Sequence, residues 1–486
     1  MKNLSIIKLG MGLLLILAIS WSCEDPDETF DPINPNLSAD NVIGTIESAA
    51  RTLNGLERQL SLTINEVIVP TELASDNYVN TQTFFNQFLD DLDINKTDND
   101  IRDLQFNIAR MRVLATIGIE EIGPGDPDYT PEQESGFYML RGLSFLFAAE
   151  LFKTLPTEEG GVPQSASVQL TLAIDDFTNA IRVNATGTYG IGALLARARA
   201  NYRGGNKDAA VADAQAAIDA DPDYVYFAQF DPNNPSAADN NTFQDALFDR
   251  GSFDDLQPLP TLDFLDPKYH GDDATFDYPI AVLKIEEAHL ILAEAELADD
   301  DLEGAKSIMK DIVALVATRP VATFNDMVEG RTHDDPDSRP NMASVRVAPG
   351  PGRDFEEGLV LDRQADEISV PSVSGTSFTD DEIDDLDNID RAYEALYRLR
   401  QEIFLAEGRR MTDLGIRFAI SEREEQTNPN VTADDIIGVI PPFIEPIKAQ
   451  LDAFTYDVAA GTATVTNNLN RLLAENRGSD LVVPFE

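Results

Sequence analysis

The sequence predicts a predominantly all-α protein with long irregular loops and a few short strands. Three observations carry this. Apolar residues recur three or four apart over many segments, two pairs of alanine-rich segments read as helical hairpins, and the intervening stretches are dense in Asp-Pro, Asn-Pro and Gly. The helical period runs over Ile43 to Gln59, Asp100 to Ile117, Glu134 to Phe152, Leu172 to Arg182 and Tyr189 to Arg203. It continues over Lys207 to Asp219, Pro279 to Ala298, Leu302 to Val316 and Ile389 to Phe418.

The first hairpin lies near residues 189–222. Leu194 and Ala198 precede a Gly204-Gly205-Asn206 turn, and Ala209, Ala210, Ala214 and Ala217 follow it as far as Asp221-Pro222. The second, near 279–316, carries Ala288, Leu292, Ala293 and Ala295, a turn over Asp299 to Asp301, then Ala305, Met309 and Ile312. Small residues at these spacings let helices approach closely, and each unit resembles a tetratricopeptide repeat. Two separated units cannot form a solenoid, so they are expected to lean on non-repetitive helices. The segments 228–270, 330–378 and 428–466 read as irregular, the last with short strands, and loops of such length suit binding or docking.

The N-terminus reads as a processed signal over residues 1–22. Lys2 and Lys8 flank a short apolar run from Leu9 to Ile19, too short to span a bilayer comfortably, and Ser22 precedes Cys23. Cys23 is the only cysteine, so no intrachain disulfide forms, and its place fits acylation (palmitate) of a new N-terminal thiol. Residues 23–40 are acidic and proline-punctuated and read as a flexible tether, leaving 41–486 as the folded domain. The expected location is therefore a membrane surface, with the chain held by lipid on Cys23.

The chain carries 36 Lys and Arg against 86 Asp and Glu, a formal charge of −50. That balance argues against nucleic acid as a partner, because such binding depends on neutralising phosphates. Solubility in salty surroundings accounts for it, since screening softens self-repulsion.

The segment from Leu399 to Leu414, Leu-Arg-Gln-Glu-Ile-Phe-Leu-Ala-Glu-Gly-Arg-Arg-Met-Thr-Asp-Leu, resembles the C-terminal helical motif of the SusD/RagB family of nutrient-binding lipoproteins from Bacteroidota. Glu134 to Pro163, with its Gly161-Val162-Pro163 turn, and the alanine-rich Lys284 to Glu296 are similar to other parts of that family. Met411 stands where the family has an aromatic, and Arg417 lies one place late, which marks a divergent member. The resemblance implies a non-catalytic receptor that captures glycan or oligosaccharide and caps a SusC-like TonB-dependent transporter. Peptide or another nutrient on the same architecture, or a repeat-containing scaffold, are the alternatives. Glu407, Gly408, Arg410 and Asp413 match the family motif. Their three-residue spacings allow paired charges along one helical face and point to fold support.

No chemistry-bearing constellation argues for an enzyme. His270, His289 and His333 lack ligand-like spacing, and no phosphate-cradling glycine loop is present. No cofactor is expected. Asp380 to Asp390 offers oxygen ligands for a structural calcium ion but lacks the loop period, and a solvated acidic face is the better account of it.

The only tryptophan, Trp21, leaves with the signal, so ligand stacking falls to tyrosine and phenylalanine. Asp76, Asn77, Tyr78 and Asn80 with Phe84 mix aromatic and amide chemistry outside helical periodicity and form the first candidate contact. Tyr224 with Tyr226, and Tyr269, are the next candidates.

Overall fold

The computed structural model describes residues 44–81, 86–248, 256–269, 277–325, 339–363, 365, 367–479, 482 and 485. The signal, the tether, Cys23, Phe84, His270 and His333 lie outside the described residues. Among the described residues no helix is long and apolar enough to cross a membrane.

Helix α1 (Ser48–Leu73) buries Leu53, Leu56, Leu60, Ile64, Val67 and Ile68 on one face. The short strand β1 (Tyr78–Asn80) follows it. Helix α2 (Asn99–Ile117) starts where the Asp98 side chain accepts from Asp100 N at 2.8 Å, and it packs on α1. Helix α3 (Pro131–Leu151) opens with a reciprocal cap between Thr130 and Gln133 and with proline in its first turn. Gly142 on α3 lets Phe177 of α4 (Ala166–Asn184) pack against its backbone, since a Cβ there would sit 2.5 Å from Phe177 Cε1.

The first expected hairpin forms as α5 (Thr188–Arg203) and α6 (Lys207–Ala220), closed by Gly205 at φ +71°. Ala198, Ala210, Ala214 and Ala217 are fully buried, as the small-residue spacing required. The second hairpin is α7 (Glu286–Ala298) and α8 (Leu302–Val316), with Asp301 accepting from Gly304 N at 2.9 Å to start α8. The two hairpins pack directly on each other through α6 and α7, although about sixty residues of chain separate them.

Two expected helices are corrected. Ile280–Lys284 is strand, paired antiparallel with Val225–Ala228, and the helix begins only at Glu286. The run expected from Ile389 to Phe418 is broken: α9 covers Ile389–Ile403, and a single turn, α10, resumes at Arg410–Asp413. Ala406 at φ +62° and Gly408 at φ +68° make the break. Helices α11 (Glu422–Thr427) and α12 (Leu469–Glu475) complete the set the sites use. The strands are short and scattered; the largest sheet orders Phe454–Asp457, Thr462–Val465 and Arg346–Ala348. One hydrophobic cluster runs from Ala49 to Phe485. The fold is predominantly helical, as the sequence predicts.

Candidate ligand-binding cleft

The broken segment after α9 organises the interior. Glu407 Oε1 accepts from Lys268 Nζ at 2.6 Å, Lys284 Nζ at 2.5 Å and the Tyr269 hydroxyl at 2.7 Å. Gly408 N donates to Glu72 Oε1 at 2.7 Å, and a Cβ on Gly408 would meet Val67 Cγ1 at 2.7 Å. Arg410 grips Asp76 through two bonds, Nε to Oδ1 at 2.6 Å and Nη2 to Oδ2 at 2.9 Å. Asp413 accepts from Arg400 Nε at 2.8 Å and Arg203 Nη2 at 2.6 Å, and these guanidiniums hold its carboxyl far below the usual range against the effect of burial. The motif thus pairs outward, Glu407 onto Lys268 and Lys284, Gly408 onto Glu72, Arg410 onto Asp76 and Asp413 onto Arg203 and Arg400, and not along its own face as the spacing suggested. The break in the helix turns these side chains to different neighbours.

The residues expected from sequence as ligand contacts are mostly buried. Tyr78 is fully buried; its hydroxyl donates to Asp266 Oδ1 at 2.9 Å and its ring meets Phe243 edge-on. Asn77 donates to Glu72 Oε2 at 2.7 Å, and Asn80 is buried on β1. Tyr269 is fully buried against Glu407. Tyr224 donates to the Thr188 carbonyl, while Tyr226 and Tyr189 both donate to Glu57, whose pKa burial raises. These tyrosines spend their hydroxyls on the protein's own acceptors. Asp76, Asn77 and Tyr269 gather around the α9–α10 break; Tyr226 lies apart on Glu57, and Tyr224 on the Thr188 carbonyl.

Asp76 alone also reaches a cavity. It lines a small polar cavity of 20 Å³ beside α9 and the start of α12. An adjoining cleft of 250 Å³ shares Pro349, Arg398, Asn468 and Asn470 with it and adds Arg353, Glu394 and the half-buried Phe378. Its walls are a chain of planar polar groups. Gln401 Nε2 donates to Asp76 Oδ2 at 3.0 Å, Asn470 Nδ2 donates to Gln401 Oε1 at 2.8 Å, and Asn468 Nδ2 donates to Glu394 Oε1 at 2.9 Å. Arg353 pairs with Glu394. Arg398 binds Glu402 at 3.0 Å and Glu356 at 2.5 Å, and its guanidinium lies 5.3 Å from the Phe378 ring centroid. Asn470 Oδ1 is buried behind this wall with no hydrogen-bond partner among the described residues.

Sequence reasoning missed this cleft. The amide-rich run Asn467-Asn468-Leu469-Asn470 carries the same signal that singled out Asn77 to Asn80, and it is the run left partly exposed. Among the described residues no group of three or more His, Cys, Asp or Glu is placed to hold a metal ion. Within the acidic run, Asp384 pairs with Lys310, Asp387 with Arg391 and Asp390 with Arg477.

No family model matches the chain, and no curated protein matches it by sequence. Its fold does match solved structures. A SusD superfamily protein from Bacteroides fragilis aligns over 80% of this chain and 100% of its own length, with a TM-score of 0.50 at 13% identity. A SusD-like carbohydrate binding protein from the same species aligns over 86% and 98%, with a TM-score of 0.48 at 11% identity. Another from Bacteroides vulgatus aligns over 76% and 83%, with a TM-score of 0.48 at 11% identity. The first of these establishes that the chain has the SusD superfamily fold.

Proposed function

We propose that this chain is a divergent member of the SusD/RagB family, a surface receptor that binds an oligosaccharide without turning it over and hands it to a SusC-like TonB-dependent barrel. The observation that carries the reading is the match of fold over the whole length of a SusD superfamily protein; the step from fold to function is by analogy. The cleft supports the ligand class. Vicinal hydroxyls both donate and accept, and the alternating amides, carboxylates and guanidiniums of Asn468, Asn470, Glu394 and Arg398 suit them. A volume of 250 Å³ is below the roughly 300 Å³ at which ordinary small-molecule sites begin, so the cleft takes one end of a longer chain. Acylation at Cys23 would hold the receptor at the outer membrane beside its barrel, with residues 23–40 as the tether.

Calorimetric titration of the full chain with a panel of oligosaccharides and peptides tests this. Saturable oligosaccharide binding with unchanged ligand on product analysis is expected, together with co-purification of a large barrel from native membranes. Exclusive peptide binding, or product release by the purified chain, would refute it.

A further inference from the structure

A second cavity, of 540 Å³, shares no lining residue with the cleft. It is walled by α2, by residues 155–160 after α3, and by α11 with Asn428. Its rim mixes charged Arg110, Glu158 and Glu159 with two exposed apolar side chains, Phe106 and Val113, which are 60% and 56% exposed. Its floor holds Arg112, 6% exposed. Arg112 Nη1 donates to the Pro156 carbonyl at 2.8 Å, and the guanidinium lies 4.8 Å from the Phe145 ring centroid. Its Nε is buried with no hydrogen-bond partner.

No carboxylate of the described residues stands within ion-pair distance of Arg112. That separates it from Arg199, Arg363, Arg400, Arg409 and Arg410, which are equally buried and each face a carboxylate. An unpaired buried cation is costly, and burial here pushes the guanidinium down to about 10. The nearby acids do not relieve it. Glu424 accepts from Gln105 Nε2 at 3.2 Å and from Asn428 Nδ2 at 2.8 Å, while Glu158 and Glu159 stand exposed at the mouth, where solvent and salt screen them.

We propose that this groove is a second ligand site, which takes a small monocarboxylate carried on an apolar body. The carboxylate sits on Arg112 and the body lies against Phe106, Val113 and Leu155. A guanidinium fork matches a carboxylate in shape, and one edge of this fork is still uncommitted. The bound anion supplies the counter-charge that the fold omits here and provides at Arg199, Arg363, Arg400, Arg409 and Arg410. The apolar body covers the exposed ring and valine, removing their surface from water. A neutral sugar gains neither effect on these walls. The volume lies within the roughly 300–1,000 Å³ of small-molecule sites. This inference stands apart from the oligosaccharide reading, because the two cavities share no residue.

Titration calorimetry of the full chain with 3-phenylpropionate, 3-phenylpropionamide and glucuronate tests the proposal. The acid is expected to saturate one site, with the amide and glucuronate each weaker by about tenfold or more, as loss of a charge-assisted bond or of apolar contact implies. Arg112→Gln should abolish the preference for acid over amide. Phe106→Ala removes an exposed ring without disturbing the core; it should weaken the acid severalfold and leave oligosaccharide binding at the cleft unchanged. Equal binding of acid and amide, glucuronate as tight as phenylpropionate, no saturable binding of the acid, or indifference to Phe106→Ala would each overturn it.

Discussion

Replacing Glu407 by Gln tests whether the α9–α10 break is held together by charge. In the native chain two buried ammonium groups, Lys268 and Lys284, converge on Glu407 Oε1 at 2.6 and 2.5 Å, with the Tyr269 hydroxyl as a third donor. Carbonyl oxygens of Ile403 and Leu405 also solvate Lys268, and those of Val373 and Ile403 solvate Lys284, so the variant keeps dipoles but loses the one carboxylate that, among the described residues, bonds both lysines. Stranding buried cations in this way costs about 3–5 kcal/mol. Unfolding entropy of about 2.1 cal/mol/K per residue comes to roughly 0.9 kcal/mol/K for a body of this length, so Tm should fall by only about 3–5 °C.

The pH dependence is the sharper signature. Burial lowers the Lys268 pKa to about 7, with Glu407 opposing the shift. A lysine whose folded pKa lies below its unfolded value binds fewer protons folded than unfolded across that window, so stability rises with pH through it. Without Glu407 the window opens at lower pH, and the variant sheds part of its penalty sooner. Scanning calorimetry at about pH 6 and about pH 8 should therefore show the larger loss at the lower pH. A loss under about 1 °C at both values, or the same loss at both, would refute the reasoning.

Other outcomes follow from the same geometry. Gly408→Ala places a Cβ 2.7 Å from Val67 Cγ1 at φ +68°, so left-handed strain and overpacking together should cost about 2–5 kcal/mol in urea unfolding. Tyr78→Phe removes the bond to Asp266 and should cost about 1.5–3 kcal/mol while leaving ligand affinity unchanged; weakened binding would return Tyr78 to the site. Asn470→Ala, which removes an amide lining the cleft, should weaken oligosaccharide binding about five- to tenfold with little change in Tm, read by calorimetry. Burial raises the Glu72 pKa to about 7, so its folded form holds a proton that the unfolded chain has released. Its contribution to stability should fall by about 3 kcal/mol as pH rises from the ordinary glutamate range through 7, and Glu72→Gln should flatten that slope.

The hairpins were legible because their signals are local: Gly205 in the turn, alanines at helical spacing and the Asp301 cap all sit within the unit they define. Ile280–Lys284 was not. Five consecutive apolar or long side chains suit a helix or a buried strand equally, and the choice is made by Val225–Ala228, far away in sequence. The break after Ile403 hid for a related reason, since its first left-handed residue is Ala406 and not a glycine. Charge pairing misled most. Spacing suggested Glu407, Arg410 and Asp413 for one another, yet Arg410 bonds Asp76 across 334 positions and Asp413 bonds Arg203 across 210. For the site, Asn77 to Asn80 and Asn467 to Asn470 carry the same amide signal, and only burial tells that the first faces inward.

The arginines and lysines enclosed at Glu150, Glu287, Asp413, Asp76 and Glu407 have a consequence outside the interior. Seven cations, Lys268, Lys284, Arg199, Arg203, Arg400, Arg409 and Arg410, are enclosed there against five carboxylates, so the acidic outer skin has fewer cations to interrupt it than the 36 in the sequence would suggest. Copies crowded on one surface would hold one another at arm's length, at a spacing set by the ionic strength of the surroundings.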